Sequence, residues 1–202
     1  APTPVLSFMV RELGCKAGIM VTASHNPAKY NGYKCYGEDG GQMTEVAAGE
    51  VMDAIAAHDM FEKTALLTFD EAVENGLVTV VGDDLMNAFL DRVQTQQIHK
   101  DVCAKAGLSV IYTPLHGAGN KPVRAIFDRI GLKTVTVVPE QELPNGNFPT
   151  APYPNPEIRQ SFECAMALSK TVPADLLLAT DPDCDRVGIA VKDGDDFTLL
   201  SG

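Results

Sequence analysis

Positive charge is scarce in this sequence of 202 residues, where 16 lysines and arginines face 27 aspartates and glutamates for a net charge of -11. Nucleic acids and anionic membranes are bound through a positive field, so neither partner is expected. No apolar run approaches the length that crosses a bilayer. The five cysteines are odd in number and show no C-x-x-C spacing, which fits neither a disulfide framework nor a zinc site and favours a reducing, cytoplasmic setting.

The apolar pattern predicts an α/β fold. A strand at Leu108–Tyr112, a helix at Lys121–Ile130 and a strand at Thr134–Val138 form a βαβ unit, which implies a parallel pair of strands. Polarity rises before Leu108, where we place a domain boundary. We expect two three-layer α/β/α modules with mixed, partly parallel sheets, the first over residues 1–103 and the second over residues 104–202.

Apolar spacing, capping residues and turn residues indicate the remaining elements. Further helices are predicted at Val5–Leu13, Thr44–Ala57, Thr68–Asn75, from Asp83 onward and at Asn155–Lys170. Further strands are predicted at Ala17–Thr22, Tyr33–Tyr36, Leu77–Val81, Asp175–Thr180, Val187–Val191 and Phe197–Leu200. The first of these, a short apolar run, is typical of a buried parallel strand.

An acidic loop follows the apolar strand that ends at Thr180. Asp181, Asp183 and Asp185 alternate, so in extended backbone their side chains share one side and can converge on a cation. Carboxylate oxygens favour magnesium, manganese or calcium. An EF-hand is excluded, since Arg186 stands where that loop needs glycine. A solvated acidic turn remains open, and so does a phosphatase of the haloacid-dehalogenase type with Asp181 as nucleophile.

A second polar loop presents Ser24 and His25 after the apolar run near the amino end. A serine hydroxyl is a poor nucleophile unless a base, a metal or a phosphoryl group changes its chemistry. Lys29 and Lys34 lie close in sequence and could compensate a phosphate. No Gly-x-Ser-x-Gly elbow surrounds the serine, which disfavours an acyl hydrolase. Taken alone, the loop is better explained as a turn that Asn26 and the following proline begin.

The two loops together resemble the α-D-phosphohexomutase superfamily of phosphoglucomutases and phosphomannomutases. The resemblance lies in Thr-Ala-Ser-His-Asn-Pro at 22–27, Asn-Gly-Tyr-Lys at 31–34 and Asp-Pro-Asp-x-Asp-Arg at 181–186. It extends to Tyr-Thr-Pro-Leu-His-Gly at 112–117 and to the proline-rich segment that ends in Pro-Asn-Pro-Glu at 154–157. It therefore touches nearly the whole chain.

The resemblance implies a phosphoserine enzyme that moves phosphate between C1 and C6 of a sugar, or C5 of a pentose. Ser24 would carry the phosphoryl group, and a sugar bisphosphate would be the intermediate and activator. One Mg²⁺ would be held by Asp181, Asp183, Asp185 and a phosphoserine oxygen of Ser24. The implied catalytic residues besides Ser24 are His25, Lys34 as general acid/base, and Arg186. Cys184 occupies a position where the family favours Gly, Ala or Ser, and is expected to point away from the metal.

The same resemblance implies a parent chain of four domains, with sugar specificity in the third and a phosphate-binding loop in the fourth. We expect this chain to be the later part of domain 1 followed by domain 2, inactive by itself because domains 3 and 4 are its missing partners. The substrate would be a small phosphosugar. The competing hypotheses are the Asp-x-Asp phosphatase, a non-catalytic metal-binding module and a scaffold with an acidic turn. The turn from His116 to Gly119 is interpreted as structural.

Overall fold

The computed structural model describes residues 1–59, 61–62 and 66–200. The last two residues of the predicted second domain lie outside this range. The helices are α1 (Thr3–Glu12), α2 (Glu45–Ala56), α3 (Phe69–Glu74), α4 (Asp83–Gln94), α5 (Val102–Ala106), α6 (Asn120–Arg129) and α7 (Glu163–Leu168). The strands are β1 (Ala17–Val21), β2 (Tyr33–Gly37), β3 (Ser109–Thr113), β4 (Thr134–Val137), β5 (Leu176–Thr180), β6 (Val187–Asp193) and β7 (Asp196–Leu200).

The second half of the chain forms a five-stranded mixed sheet in the order β4-β3-β5-β6-β7. β3 is parallel to both β4 and β5, whereas β5, β6 and β7 are antiparallel neighbours. The predicted parallel βαβ unit is therefore confirmed. Residues of β3 are buried on both faces: Ile111 joins a core with Leu177 and Phe162, and Tyr112 packs edge-on against Phe127 of α6. Helices on both faces make this half an α/β/α sandwich.

The first half contains a smaller sheet, in which β1 pairs only with β2, antiparallel. The prediction of a buried parallel strand here was wrong. Ile19 and Val21 are 52% and 62% exposed, because among the described residues one face of β1 packs on α1 and the other is uncovered. The mixed α/β content and the mixed, partly parallel sheet agree with the predicted fold class.

Two further element predictions were wrong in detail, and one helix was missed. Leu77–Val81 is not a strand: the amides of Leu77 and Val78 donate to the carbonyl of Ala72 and close the end of α3. The helix expected from Asn155 begins only with a 3-10 turn at Arg159, because the Asn155 side chain accepts the amide of Glu157 in a local turn. Helix α5 was not predicted, since it is only five residues long.

Helix α4 connects the two halves. Phe89 on α4 packs edge-on against Phe8 of α1, with ring centroids 5.7 Å apart. On the other side of the same helix, Asp91 accepts a 2.6 Å ion pair from Arg129 of α6. This packing holds α1 beside the acidic loop that follows β5. Among the described residues no helix is both long and apolar enough to cross a membrane.

Candidate active site

The acidic loop lies at the carboxyl ends of the parallel strands, beside the turn that follows β3. The amide of Ala118 donates to the carbonyl of Pro182 over 2.8 Å, which joins the two loops. Gly117 approaches so closely that a Cβ there would lie 2.4 Å from the Cα of Pro182. The carboxyl ends of parallel strands are where open α/β sheets bind ligands. The turn from His116 to Gly119 thus supports the acidic loop through packing.

The three aspartates converge, but through a turn in which the amide of Cys184 donates to the carbonyl of Asp181, and not through the extended backbone that the prediction assumed. Asp181, Asp183 and Asp185 each offer one carboxylate oxygen, and these atoms lie within 4.8 Å of one another. Asp181 and Asp183 are buried, whereas Asp185 is exposed. Oδ1 of Asp181 accepts the amides of Asp185 and Arg186 over 3.1 and 2.9 Å, which curls the loop around this carboxylate.

Cys184 lies inside the acidic loop with its backbone in the left-handed region, at a φ of 56°. Few non-glycine residues adopt this conformation, so a small residue suits the position. Its thiol contacts Thr180 and lies on the side of the loop that faces Gly119, and burial raises the pKa of the thiol to about 11. The expectation that Cys184 points away from the carboxylate cluster agrees with these contacts.

The serine loop meets the acidic loop directly. Ser24 Oγ donates a 3.0 Å hydrogen bond to Oδ2 of Asp181, 157 residues away in sequence, and lies 3.1 Å from Nδ1 of His25. Ser24 has a left-handed backbone with a φ of 53°, and its amide donates to Oγ1 of Thr22. Strained backbone of this kind is concentrated at functional sites. The arrangement presents the hydroxyl to the carboxylates.

Lys34 supplies the positive charge that faces the carboxylates. From β2, its Nζ lies 2.9 Å from Oδ2 of Asp183 and 3.2 Å from Oδ2 of Asp185. Burial lowers the pKa of Lys34, but the hydrogen bonds and charge of these two aspartates outweigh it, so the pKa lies above its ordinary value. The structure therefore favours the ammonium form of this lysine.

The two buried carboxylates differ in their proton affinity. Burial raises the pKa of Asp181 to about 7, and the nearby carboxylate of Asp183 adds to the rise. Burial also acts to raise the pKa of Asp183, but the hydrogen bonds from Lys34 and Thr3 and the positive charge of Lys34 outweigh it and lower the pKa. Among the described residues Lys34 pairs with Asp183 and Asp185 only, so the cluster keeps an excess of negative charge, which is the electrostatic setting that a cation binds.

The donor atoms fit a hard divalent cation. All three candidate ligands are carboxylate oxygens, the chemistry that Mg²⁺ and Ca²⁺ prefer. In the part of the chain that the structure describes, Oδ1 of Asp183 is buried without a hydrogen-bond partner. A buried oxygen of this kind costs free energy unless another group binds it. The residues present are therefore compatible with the magnesium site that the sequence predicted.

The predicted site residues come together, except that the side chain of Arg186 does not contact the aspartates. The guanidinium of Arg186 binds Oε1 of Glu157 over 3.0 Å, and only its backbone amide contacts the aspartates. Glu157 was noted only as part of a family-like segment, and its ion pair was not expected. Thr3 was missed altogether, although its hydroxyl donates to Oδ2 of Asp183 over 3.0 Å. A single threonine between two prolines gives no sequence signal beyond the start of a helix.

Comparison with known families identifies the fold. A model described as phosphoglucomutase/phosphomannomutase, alpha/beta/alpha domain I matches residues 1–62. The corresponding domain II model matches residues 87–194, more than half of the chain. The chain belongs to the phosphoglucomutase/phosphomannomutase family. The resemblance to the α-D-phosphohexomutase superfamily is thereby confirmed, and so is the α/β class of the fold. The exact boundary between the predicted domains stays a prediction.

Individual relatives of this phosphoglucomutase/phosphomannomutase chain are considerably longer. It is 36% identical over 201 residues to a phosphoglucomutase of Staphylococcus saprophyticus, covering 99% of this chain and 36% of the relative. It is 32% identical over 195 residues to a Haemophilus influenzae protein assigned as a phosphomannomutase, covering 95% and 38%. The crystal structure of a Thermus thermophilus protein assigned as a phosphomannomutase superposes with a TM-score of 0.74 at 27% identity, over 98% of this chain and 41% of that one. The chain thus spans little more than a third of the length of these curated relatives.

Proposed function

We propose that this chain carries the phosphoryl-transfer centre of a phosphosugar mutase, with Ser24 as the phosphoryl carrier. The observation that supports this most directly is the 3.0 Å contact between Ser24 Oγ and the carboxylate of Asp181, inside a cluster that also holds Lys34. The relatives named as phosphoglucomutase and phosphomannomutase agree with this reaction class. The individual roles of the residues are part of the proposal.

The proposed reaction consists of two transfers in opposite directions. In the first, the bond between Ser24 Oγ and phosphorus breaks and Oγ takes up a proton, while a sugar hydroxyl oxygen forms a new bond to phosphorus and loses its proton to a base. The sugar bisphosphate then turns around, and the bond between its other phosphoryl group and the sugar oxygen breaks. That oxygen takes up a proton, while Ser24 Oγ loses its proton and forms the new bond to phosphorus. Phosphoryl transfer depends mainly on positioning and on charge stabilisation, and the loop geometry provides both. Lys34 and His25, which border Ser24 and the aspartates, are the candidates for moving the proton.

Mg²⁺ would be held by Asp181, Asp183, Asp185 and an oxygen of phosphorylated Ser24. When bound there, it would draw charge from the transferring phosphoryl group. In the structure Lys34 is held in its charged form by Asp183 and Asp185, so it carries the proton that a general acid must give, although its raised pKa makes it a weaker acid. Accepting a proton requires further positive charge near these carboxylates, because that charge would lower the pKa of the lysine.

The proposed substrate class is a small phosphosugar. The chain spans little more than a third of the curated relatives, so we propose that the groups that bind the sugar and its distal phosphate belong to further domains. We therefore expect phosphorylation of Ser24 by a sugar bisphosphate to be possible for this chain, and full mutase turnover to require those domains.

Phosphopeptide mass spectrometry tests the proposal. The chain is incubated with Mg²⁺ and glucose 1,6-bisphosphate, and its peptides are compared with those of Ser24→Ala. We expect an acid-stable phosphate on Ser24 in the unmodified chain and none in the variant. A hydroxylamine-sensitive phosphate on Asp181 would instead support the Asp-x-Asp phosphatase. Mg²⁺ binding without any phosphorylation, even after the remaining domains are supplied, would support a non-catalytic metal-binding module.

A further inference from the structure

Thr3, the first residue of α1, binds the middle aspartate of the acidic loop in two ways. Its Oγ1 donates to Oδ2 of Asp183 over 3.0 Å, and its backbone amide donates to the carbonyl oxygen of Asp183 over 2.8 Å. The side chain is almost fully buried, with 4% of its surface exposed. These bonds join residues 180 positions apart, so they exist only when the amino-terminal helix is packed against the acidic loop.

The start of α1 is built so that the amide of Thr3 is available for this contact. Pro2 precedes the helix as its cap residue, and Pro4 has no N–H to offer. The first N–H groups of a helix have no partner inside the helix. The amide of Thr3 is therefore free to bind outside the helix, and the carbonyl of Asp183 accepts it.

The hydroxyl of Thr3 binds only one of the two carboxylate oxygens of Asp183. Oδ2 accepts both this hydroxyl and the ammonium of Lys34, the latter over 2.9 Å. Oδ1 is buried and, among the described residues, has no hydrogen-bond partner. Two donors on Oδ2 restrict rotation of the carboxylate, so the other oxygen, Oδ1, is left for a cation. Residues that hydrogen-bond to a metal-ligating carboxylate orient it and influence metal affinity.

We propose that Thr3 is a positioning residue for the cation site, holding the carboxylate of Asp183 through its hydroxyl so that Oδ1 is left to bind Mg²⁺. The inference deepens the proposed function, since it requires that Asp183 binds a cation, but it does not require that Ser24 carries phosphate. The amide of Thr3 anchors the loop backbone and its hydroxyl orients the side chain. Only the second role depends on the type of residue at this position.

The test separates these roles with variants that keep the backbone amide. Thr3→Val and Thr3→Ala lack the hydroxyl, whereas Thr3→Ser retains it. Isothermal titration calorimetry gives the Mg²⁺ dissociation constant of each variant, and thermal unfolding without Mg²⁺ gives its stability. We expect both hydroxyl-free variants to bind Mg²⁺ about 10-fold more weakly, the lower end of the effect of losing an outer-shell partner. Thr3→Ser should bind like the unmodified chain.

Asp183→Asn serves as the reference for loss of the ligand itself. If Asp183→Asn abolishes binding while a folded Thr3→Val or Thr3→Ala binds normally, the inference on Thr3 is overturned and the cation site stands. The inference is equally overturned if the hydroxyl-free variants melt at lower temperature but retain Mg²⁺ affinity, because Thr3 is then purely structural. If the unmodified chain binds Mg²⁺ no better than Asp183→Asn, the cation site fails and the inference fails with it. Phosphorylation of Ser24 is measured separately by mass spectrometry, and its outcome does not depend on the Mg²⁺ affinity of the Thr3 variants.

Discussion

Replacing Gly119 by alanine is expected to destabilise the sheet beneath the acidic loop by crowding alone. A Cβ at this position would lie 2.7 Å from the hydroxyl of Tyr112, 2.7 Å from Oγ1 of Thr180 and 2.9 Å from Sγ of Cys184. The backbone of Gly119, with φ and ψ of -69° and -22°, is one that alanine adopts without strain. Any loss of stability must therefore come from these three contacts.

The size of the effect follows from two opposing contributions. A glycine-to-alanine change at a permitted conformation stabilises by roughly 0.4–1 kcal/mol, because it reduces the freedom of the unfolded chain. Forcing an additional methyl group into a packed interior costs roughly 1–3 kcal/mol. The crowded atoms cannot move away easily, since the hydroxyls of Tyr112 and Thr180 are buried and hydrogen-bonded to each other over 2.8 Å. We expect a net loss of about 1–2 kcal/mol.

Urea unfolding followed by circular dichroism measures this loss, and Gly49→Ala is the matched control. Gly49 lies within α2, and a Cβ there would have no neighbour within 4 Å. Alanine in an open helix position should stabilise by about 0.5–1 kcal/mol. The two substitutions should thus change stability in opposite directions. Gly119→Ala that is as stable as the unmodified chain would refute the reasoning from packing.

Two further changes test the hydrogen bonds that the structure shows. Tyr112→Phe should lower the unfolding free energy, measured by urea unfolding, by about 1–2 kcal/mol, since it leaves buried Thr180 Oγ1 without its phenolic partner. Thr180→Val should cost less stability when added to Tyr112→Phe than when made alone, because the two residues share this hydrogen bond. Hydrogen bonds from the amide and hydroxyl of Thr68 lower the pKa of Glu71. The stabilisation that these bonds give α3 is therefore fully present above the ordinary pKa of a glutamate, and it is lost as the pH falls through the lowered pKa of Glu71. Carboxyl NMR should show Glu71 titrating below its usual range, and an unshifted value would contradict the capping box.

The second half of the fold could be predicted because each element carries its own signal. The strands that end at Thr113 and Thr180 are apolar on both faces, as central parallel strands are, and a helix separates β3 from β4. Leu77–Val81 has the same apolar character but, among the described residues, no strand to pair with. Local composition shows that a segment can form a strand, whereas pairing decides whether it does.

The candidate site could be predicted only through the resemblance of two motifs. Nothing local to Ser24 indicates that its hydroxyl lies 3.0 Å from Asp181, and taken alone the serine loop was better explained as a turn. The orientation of Arg186 was not predictable, because its ion pair with Glu157 depends on the fold of a proline-rich loop. Thr3 was missed for the same reason: its partner is 180 residues away, and hydrogen bonds of that range leave no periodic pattern.

The site is shared between the two halves of the chain, and this has an energetic consequence. Thr3, Ser24 and Lys34 come from the first half, whereas the aspartates they contact come from the second. A ligand that binds only when the two halves are packed together stabilises that packing by its binding free energy. Three carboxylates opposed by a single lysine repel one another, so a cation bound there would relieve that repulsion at the interface itself. Metal affinity and the docking of α1 on the acidic loop should therefore be coupled. Thr3 contributes to this coupling through both its hydroxyl and its amide, because both bind Asp183.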